Sequence, residues 1–318
     1  MTELPLFFVR DLRERGTVSA LPRERDLEAL WRGVRTPAAE WRKASERDRQ
    51  HARARAAVLS RRDGVLVGES AAVLHGLPLI ESLDPRVHVL ARPQVGSRTR
   101  AGVRERSFAV PPKVVEVDGV PVASLADTVV DVARHSSLRR AVVVVDHVLH
   151  AESRSGGDPE RLRERLRHLL AEAGPGRGVR TAGEAIAFAD ARAESPLESL
   201  SRVVIAAAGL PEPRLQHVWR LPDGTRAVTD FDWPEHGLVG EADGRAKYAL
   251  SAAEHFDDLA AAVFREKRRE NALRSLGPRI VRWEWRDALD GAPLVALLRA
   301  AGLSQRRGSR RIDGSVAG

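Results

Sequence analysis

Over residues 195–300 the hydrophobic pattern switches repeatedly between a helical and a strand period. "SPLESLSRVVIAAAGL" has a helical period, with Leu197, Leu200, Val204 and Ala207 on one face. Ser195 opens it and Pro196 takes the first helical position, where its missing N–H costs nothing. "RLQHVWRL" and "TRAVTDFDW" alternate as strands around the turn "PDG" and predict a hairpin. "HGLVGEADG" predicts a third strand, and "SAAEHFDDLAAAVFREKRRENALRSLG" a long helix ending at Gly277. "RIVRWEW" predicts a fourth strand with Trp283 and Trp285 on one core-facing side. "RDALDGAPLVALLRAAG" predicts one closing helix. The order is αβββαβα.

Upstream, residues 1–60 have a helical period. "PLFFVRDLRERG" would end at Gly16, and "RERDLEALWRGV" places Leu27, Leu30 and Trp31 on one face. "AEWRKASERDRQHARARAAVLSR" predicts a longer charged helix. Helix, turn and helix beside a basic flank is the plan of a winged-helix-like DNA-binding region. Residues 61–150 predict a small α+β unit. Its short helix "GESAAVLHGLPLI" and its strands "RVHVLARP", "VRERSFAV" and "KVVEVDGVPVAS" are followed by two apolar helices broken near His135 and Ser136. Asp118-Gly119 is a hairpin turn signal. Residues 151–190 form a helical linker, 191–302 the C-terminal domain, and 303–318 a polar tail expected to be disordered. The fold class is α+β.

Composition narrows the function classes. The 318 residues carry a net charge of +8, from 52 basic and 44 acidic side chains. Only Lys43, Lys113, Lys247 and Lys267 are lysines. Arginine suits phosphate because its planar fork donates two hydrogen bonds at once. A DNA partner fits this balance, and so does a solvated arginine-rich surface. The absence of cysteine excludes disulfides and thiolate zinc sites. No run of about 18 uncharged apolar residues predicts a membrane span, and the N-terminus does not have the pattern of a secretory signal. The expected location is cytoplasmic, with no membrane partner and no organic small-molecule cofactor.

The candidate chemistry is carboxylate chemistry. By strand alternation Asp230 and Asp232 share one face, as do Glu241 and Asp243. Neighbouring strands lie about 4.8 Å apart. In the right register Asp230 and Glu241 would hold one divalent ion, with Asp232 as the competitor for the Asp230 role. A hard cation removes the repulsion between two such carboxylates, and a water it keeps can attack a phosphodiester. Each position has a plainer alternative. Ser195 to Glu198 is a capping box, and Asp243-Gly244 is a turn. Arg265, Arg268 and Arg269 on the long helix would face a nucleic-acid backbone or form a solvated face. His147 and His150 lack a third ligand, and His75 is expected to be a packing histidine.

Taken together and in order, "SPLES", "FDWPEHGLVGEADGRAKY" and "REKRRENALRSLGPRIVRWEW" resemble the PD-(D/E)XK nuclease superfamily. More narrowly they are similar to its very-short-patch-repair-endonuclease-like domain, over about residues 190–300. The resemblance implies an αβββαβ restriction-endonuclease-like domain and Mg²⁺-dependent DNA cleavage, with Mn²⁺ as a substitute. It implies Asp230 and Glu241 as metal ligands and Glu198 as a helix carboxylate reaching the same metal. The fold usually carries lysine two residues after the second acid; here that residue is Asp243, and the nearest lysine is Lys247. Asp230, Glu241, Asp243 and Lys247 are therefore the candidate catalytic set. The departure at Asp243 leaves an alternative, a non-catalytic regulator on a degenerate nuclease scaffold. "SAAVLHGLP" and "SLADTVVDVAR" are similar to AbiEi-like antitoxins and winged-helix regulators, which implies a cognate toxin as a partner.

Overall fold

The structure is a computed structural model that describes residues 3–9, 26–60, 64–92, 96–100, 102–243 and 267–304. It mixes helices with several small sheets, in keeping with the α+β class. Among the described residues no helix is long and apolar enough to cross a membrane. The chain divides into two compact units, Met1–Val145 with Glu160–Ala187 and Asp146–Pro159 with Phe188–Gly318.

The first unit begins with a sheet. Strands β1 (Phe7–Phe8), β2 (Leu27–Trp31) and β3 (Val34–Pro37) pair antiparallel in the order β1-β3-β2. This corrects the expectation of helices over "PLFF" and "LEALW". The register shifts between Ala29 and Trp31, so Leu27 and Leu30 are both buried although three residues apart. A bulged strand thereby imitates the helical period. The long helix predicted downstream is two helices, α1 (Ala38–Lys43) and α2 (Glu46–Leu59). Ser45 separates them with extended backbone, and its hydroxyl caps α2 by accepting from Asp48 N. Leu4, Leu30, Val34, Ala52 and Ala56 form the core between sheet and helix.

The rest of this unit matches the predicted elements more closely. Helix α3 (Gly68–Leu74) precedes β4 (Val87–Leu90), β5 (Arg98–Arg100) and β6 (Val103–Arg106), a sheet ordered β4-β6-β5. Strands β7 (Val114–Val117) and β8 (Val120–Ala123) form a hairpin. Asp118 and Gly119 both have positive φ there, 50° and 73°, as a tight two-residue turn requires. Helix α4 (Leu125–His135) follows, capped by Ser124. Helix α5 (Leu138–Arg154) belongs to this unit as far as Val145. Helices α6 (Pro159–Glu172) and α7 (Val179–Phe188) occupy the expected linker, but residues 160–187 belong to the first unit. Their Leu166, Ala182, Ala185 and Ile186 are buried, and Arg163 Nη1 donates to Ile186 O at 2.8 Å.

The second unit is built on helix α8 (Pro196–Ala207) and strands β9 (Arg214–Arg220), β10 (Arg226–Trp233), β11 (Leu238–Ala242) and β12 (Arg279–Trp283). The sheet order is β12-β11-β10-β9; β11 and β12 run parallel and the other pairs antiparallel. A parallel pair needs a crossover, and residues 267–275 of that connection are helical. In the core Phe231 stacks on Trp233 and meets Trp283 at a 48° tilt, and Trp283 Nε1 donates to Ser201 Oγ of α8 at 2.8 Å. Trp285 does not extend β12; it opens helix α9 (Trp285–Asp290) and is half-buried. The closing helix is also two pieces, because Gly291 at φ 82° separates α9 from α10 (Ala292–Ala300). Most of the long helix over 251–276 and residues 305–318 of the predicted tail lie outside the described residues.

Candidate active site

Helix α8 delivers the first carboxylate. Ser195 has extended backbone and accepts from Glu198 N at 3.2 Å, which starts the helix at Pro196. The Glu198 side chain folds back over the same turn. It accepts from Ser195 Oγ at 2.8 Å and from Glu194 N at 3.0 Å. A third donor is not local: Gln216 Nε2 of β9 lies 2.9 Å from Glu198 Oε2. Glu198 is thus both a cap and a member of a longer-range group.

Gln216 is a residue that sequence reasoning missed. It has a positive φ of 52°, unusual for a non-glycine. The pairs Thr229↔His217 and Phe231↔Leu215 flank it, so it stands opposite Asp230 of β10. Buried and exposed positions alternate along β10 up to Thr229. From Phe231 to Trp233 every residue is buried, so Asp230 sits where the alternation ends. Its Oδ2 accepts from Ala242 N of β11 at 2.8 Å. The Phe231↔Gly240 pair places Glu241 next along the ladder from Asp230. Glu241 in turn pairs with Arg282 of β12. Gln216, Asp230, Glu241 and Arg282 therefore form one row across all four strands, with Glu198 docked at the Gln216 end.

The charges in this row act on one another. Burial pushes the Glu198 carboxyl up to about 7, and the nearby Asp230 charge pushes the same way. Burial also raises Asp230; the Ala242 N–H opposes this and the Glu241 charge adds to it. Glu241 has two cationic partners. Arg269 Nη2 lies 2.7 Å from its Oε1, and Arg282 Nε and Nη2 lie 2.9 Å and 2.8 Å from its Oε2. Arg282 Nη2 also reaches Glu270 at 3.2 Å.

The expected site residues are only partly brought together. Among the described residues, no group of three His, Cys, Asp or Glu side chains is arranged to hold a metal ion. Glu198, Asp230 and Glu241 form a coupled series instead, because Glu198 is turned onto its helix cap and Glu241 onto two guanidiniums. Asp243 follows β11, with its N–H donating to Trp283 O at 2.9 Å. Arg269, expected to face a nucleic-acid backbone, is held by Glu241 and donates to Val228 O at 3.1 Å, whereas Arg268 is exposed. Lys247 and Arg265 lie outside the described residues. Asp232 is buried, with Oδ2 lacking a hydrogen-bond partner 4.0 Å from His217 Nε2, and burial raises its carboxyl. His75 Nε2 contacts Ala123 O at 2.7 Å, as a packing histidine would, and His150 Nδ1 contacts Ala191 O at 3.0 Å. Arg282 was visible in "RIVRWEW", but nothing local in sequence marks its partner 41 residues away.

The chain is 31% identical over 217 residues to uncharacterized protein MT2308 of Mycobacterium tuberculosis (strain CDC 1551 / Oshkosh). The same figures hold for uncharacterized protein Rv2248 of strain ATCC 25618 / H37Rv, and each match spans 67% of this chain and 71% of the relative. No family model and no solved structure matches the chain.

Proposed function

The chain belongs to the family of the Mycobacterium tuberculosis proteins MT2308 and Rv2248, and we propose that it is a cytoplasmic DNA-binding protein with a magnesium-dependent endonuclease site in its second unit. The observation that carries this reading is the row Gln216–Asp230–Glu241–Arg282 with Glu198 at its end. It lies in an αβββαβ arrangement consistent with the PD-(D/E)XK resemblance, and DNA is the substrate class.

The donor chemistry fits a hard divalent cation. All the candidate ligands are oxygens, and Glu198 and Asp230 are both held toward protonation by burial and by a neighbouring negative charge. That is the cost a bound cation removes. Glu198 and Asp230 would hold Mg²⁺ or Mn²⁺, and Glu241 would join them on release from Arg269 and Arg282. The ion, when bound, supplies a Lewis acid and an acidified water. The chain's own groups do the rest. Gln216 orients Glu198 through its amide, and the Ala242 N–H orients Asp230. Arg269 and Arg282, freed from Glu241, offer two guanidiniums to a scissile phosphate. Lys247 would stabilise the charge that develops, and Asp243 occupies the position where the nuclease fold usually has lysine.

The two guanidiniums on Glu241 favour a second reading. In it the site is a degenerate scaffold and the protein is a non-catalytic regulator or AbiEi-like antitoxin with a cognate toxin. Supercoiled plasmid incubated with Mg²⁺ or Mn²⁺ separates the two. Nicking by the wild type that is lost in Asp230→Asn supports the nuclease. Tight DNA binding with no cleavage in either metal supports the regulator.

A further inference from the structure

The first unit contains a cavity of about 390 Å³. It is lined by four guanidiniums, Arg98, Arg104, Arg106 and Arg177, against only two carboxylates, Glu69 and Glu105. Both carboxylates already have arginine partners: Glu69 is 2.5 Å from Arg140 and Glu105 is 2.5 Å from Arg98. The lining itself carries two more positive than negative side chains before any histidine is charged, and of its arginines Arg104 is also paired, with Asp84 at 3.1 Å.

Two of the lining side chains, His88 and Arg106, pack against Gly68, whose φ is +55°. A Cβ at this position would lie 2.5 Å from Arg106 Nη1 and 2.7 Å from His88 Nδ1. Only glycine lets these two side chains crowd the backbone here. His88 is 3% exposed and the Arg106 side chain 11%. His88 Nε2 is 3.0 Å from Asp84, but its Nδ1 is buried with no hydrogen-bond partner. Arg106 Nη2 lies 2.8 Å from Asp131 Oδ1, off the hydrogen-bonding direction, so its hydrogens have no acceptor. Native interiors rarely leave such groups unpaired, because each unmade bond is costly. Arg106 Nη2 is the orphaned donor at the cavity wall, and an oxyanion there would supply its acceptor.

We propose that this cavity binds a phosphate-bearing anion the size of a mononucleotide. The volume falls within the range of about 300–1,000 Å³ that small-ligand sites occupy. Arg106 is the deep anchor, and Arg104 and Arg177 form the accessible rim. The phosphate comes either from a free nucleotide or from a nucleotide of a DNA chain; both present the same group to the same guanidiniums. The proposal is independent of the Glu198–Asp230 site, and loss of plasmid nicking in Asp230→Asn leaves it untouched.

The test is isothermal titration of the full chain with dAMP, repeated in the presence of inorganic phosphate and of a short duplex. The double variant Arg104→Ala/Arg177→Ala changes only rim side chains, and circular dichroism checks its fold. Saturable dAMP binding that inorganic phosphate competes away, weakened at least tenfold in the variant, is expected; tenfold corresponds to ~1.4 kcal/mol. Displacement of dAMP by duplex assigns the phosphate to DNA, and failure of duplex to displace it assigns a free nucleotide. A second readout needs no variant: dAMP is expected to move the ring ¹⁵N resonances of His88 and His135. Absence of saturable dAMP binding, unchanged affinity in a folded double variant, or unmoved histidine resonances would each overturn the proposal.

Discussion

Gln216 Nε2 donates to Glu198 Oε2 across 2.9 Å, so an uncharged amide stands between the helix carboxylate and the strand carboxylate of Asp230. It relieves only part of their repulsion. Glu198 titrates near 7 when folded, against 4.5 for the free side chain. Between these values the native state holds a proton that the unfolded chain has lost, so stability falls as pH rises through this window. The shift corresponds to ~3 kcal/mol. Urea titrations from pH 4 to pH 8 should show the decline in the wild type, and Glu198→Gln should flatten it and be the more stable protein at pH 8.

Glu241 is expected to matter for stability in the absence of any metal. Its two oxygens are shared by Arg269 and Arg282, and its side chain is only 12% exposed. Glu241→Gln leaves two guanidiniums facing a neutral amide. The expected loss is about 2 kcal/mol, as for a charged hydrogen-bond partner removed from a half-buried site. Chemical denaturation in low salt checks it; a loss below about 0.5 kcal/mol would place the pair among ordinary surface ion pairs.

Gly240 lets the core close behind the carboxylates. A Cβ there would lie 2.6 Å from Trp283 Cη2 and 3.1 Å from Trp233 Cζ3, and both rings are buried. Gly240→Ala should destabilise by about 1–3 kcal/mol through overpacking. Near-ultraviolet circular dichroism should show the tryptophans displaced.

Much of the fold was legible because local signals agreed with tertiary packing. Ser195, Pro196 and Glu198 marked the start of α8, and Asp118-Gly119 marked the β7–β8 turn. The β9–β10 hairpin followed from alternation around "PDG". The N-terminal sheet was not legible, since the bulge in β2 gives Leu27 and Leu30 a helical spacing. The break at Gly291 was also hidden, because the apolar period continues on both sides of it. The pairing of Asp230 with Glu241 could be posed from sequence only as a question of register. The parts played by Gln216 and Arg282 depend on strands far apart in the chain, and no local pattern announces them. The cluster around Gly68 joins residues from α3, β4, β6 and α4 and was equally invisible.

The second unit also has a buried ion pair whose removal has a clear sign. Asp146 and Arg202 meet at 2.7 Å, both almost fully buried, and Asp146 Oδ1 accepts from Asp190 N. Burial raises the Asp146 carboxyl, opposed chiefly by Arg202. Asp146→Ala leaves a buried guanidinium uncompensated and should cost about 3–5 kcal/mol. A double replacement, Asp146→Leu with Arg202→Met, should recover much of that loss in thermal melts, since both charges leave the interior together.

The central claim is that the Glu198–Asp230–Glu241 series is a divalent-cation site. Titration of Mn²⁺ into the protein, followed by the loss of the free-ion electron paramagnetic resonance signal, tests it most directly. The account predicts saturable binding by the wild type that disappears in Asp230→Asn with the fold intact. Wild-type protein that binds no Mn²⁺ saturably, or binds it equally well with Asn at position 230, would contradict it.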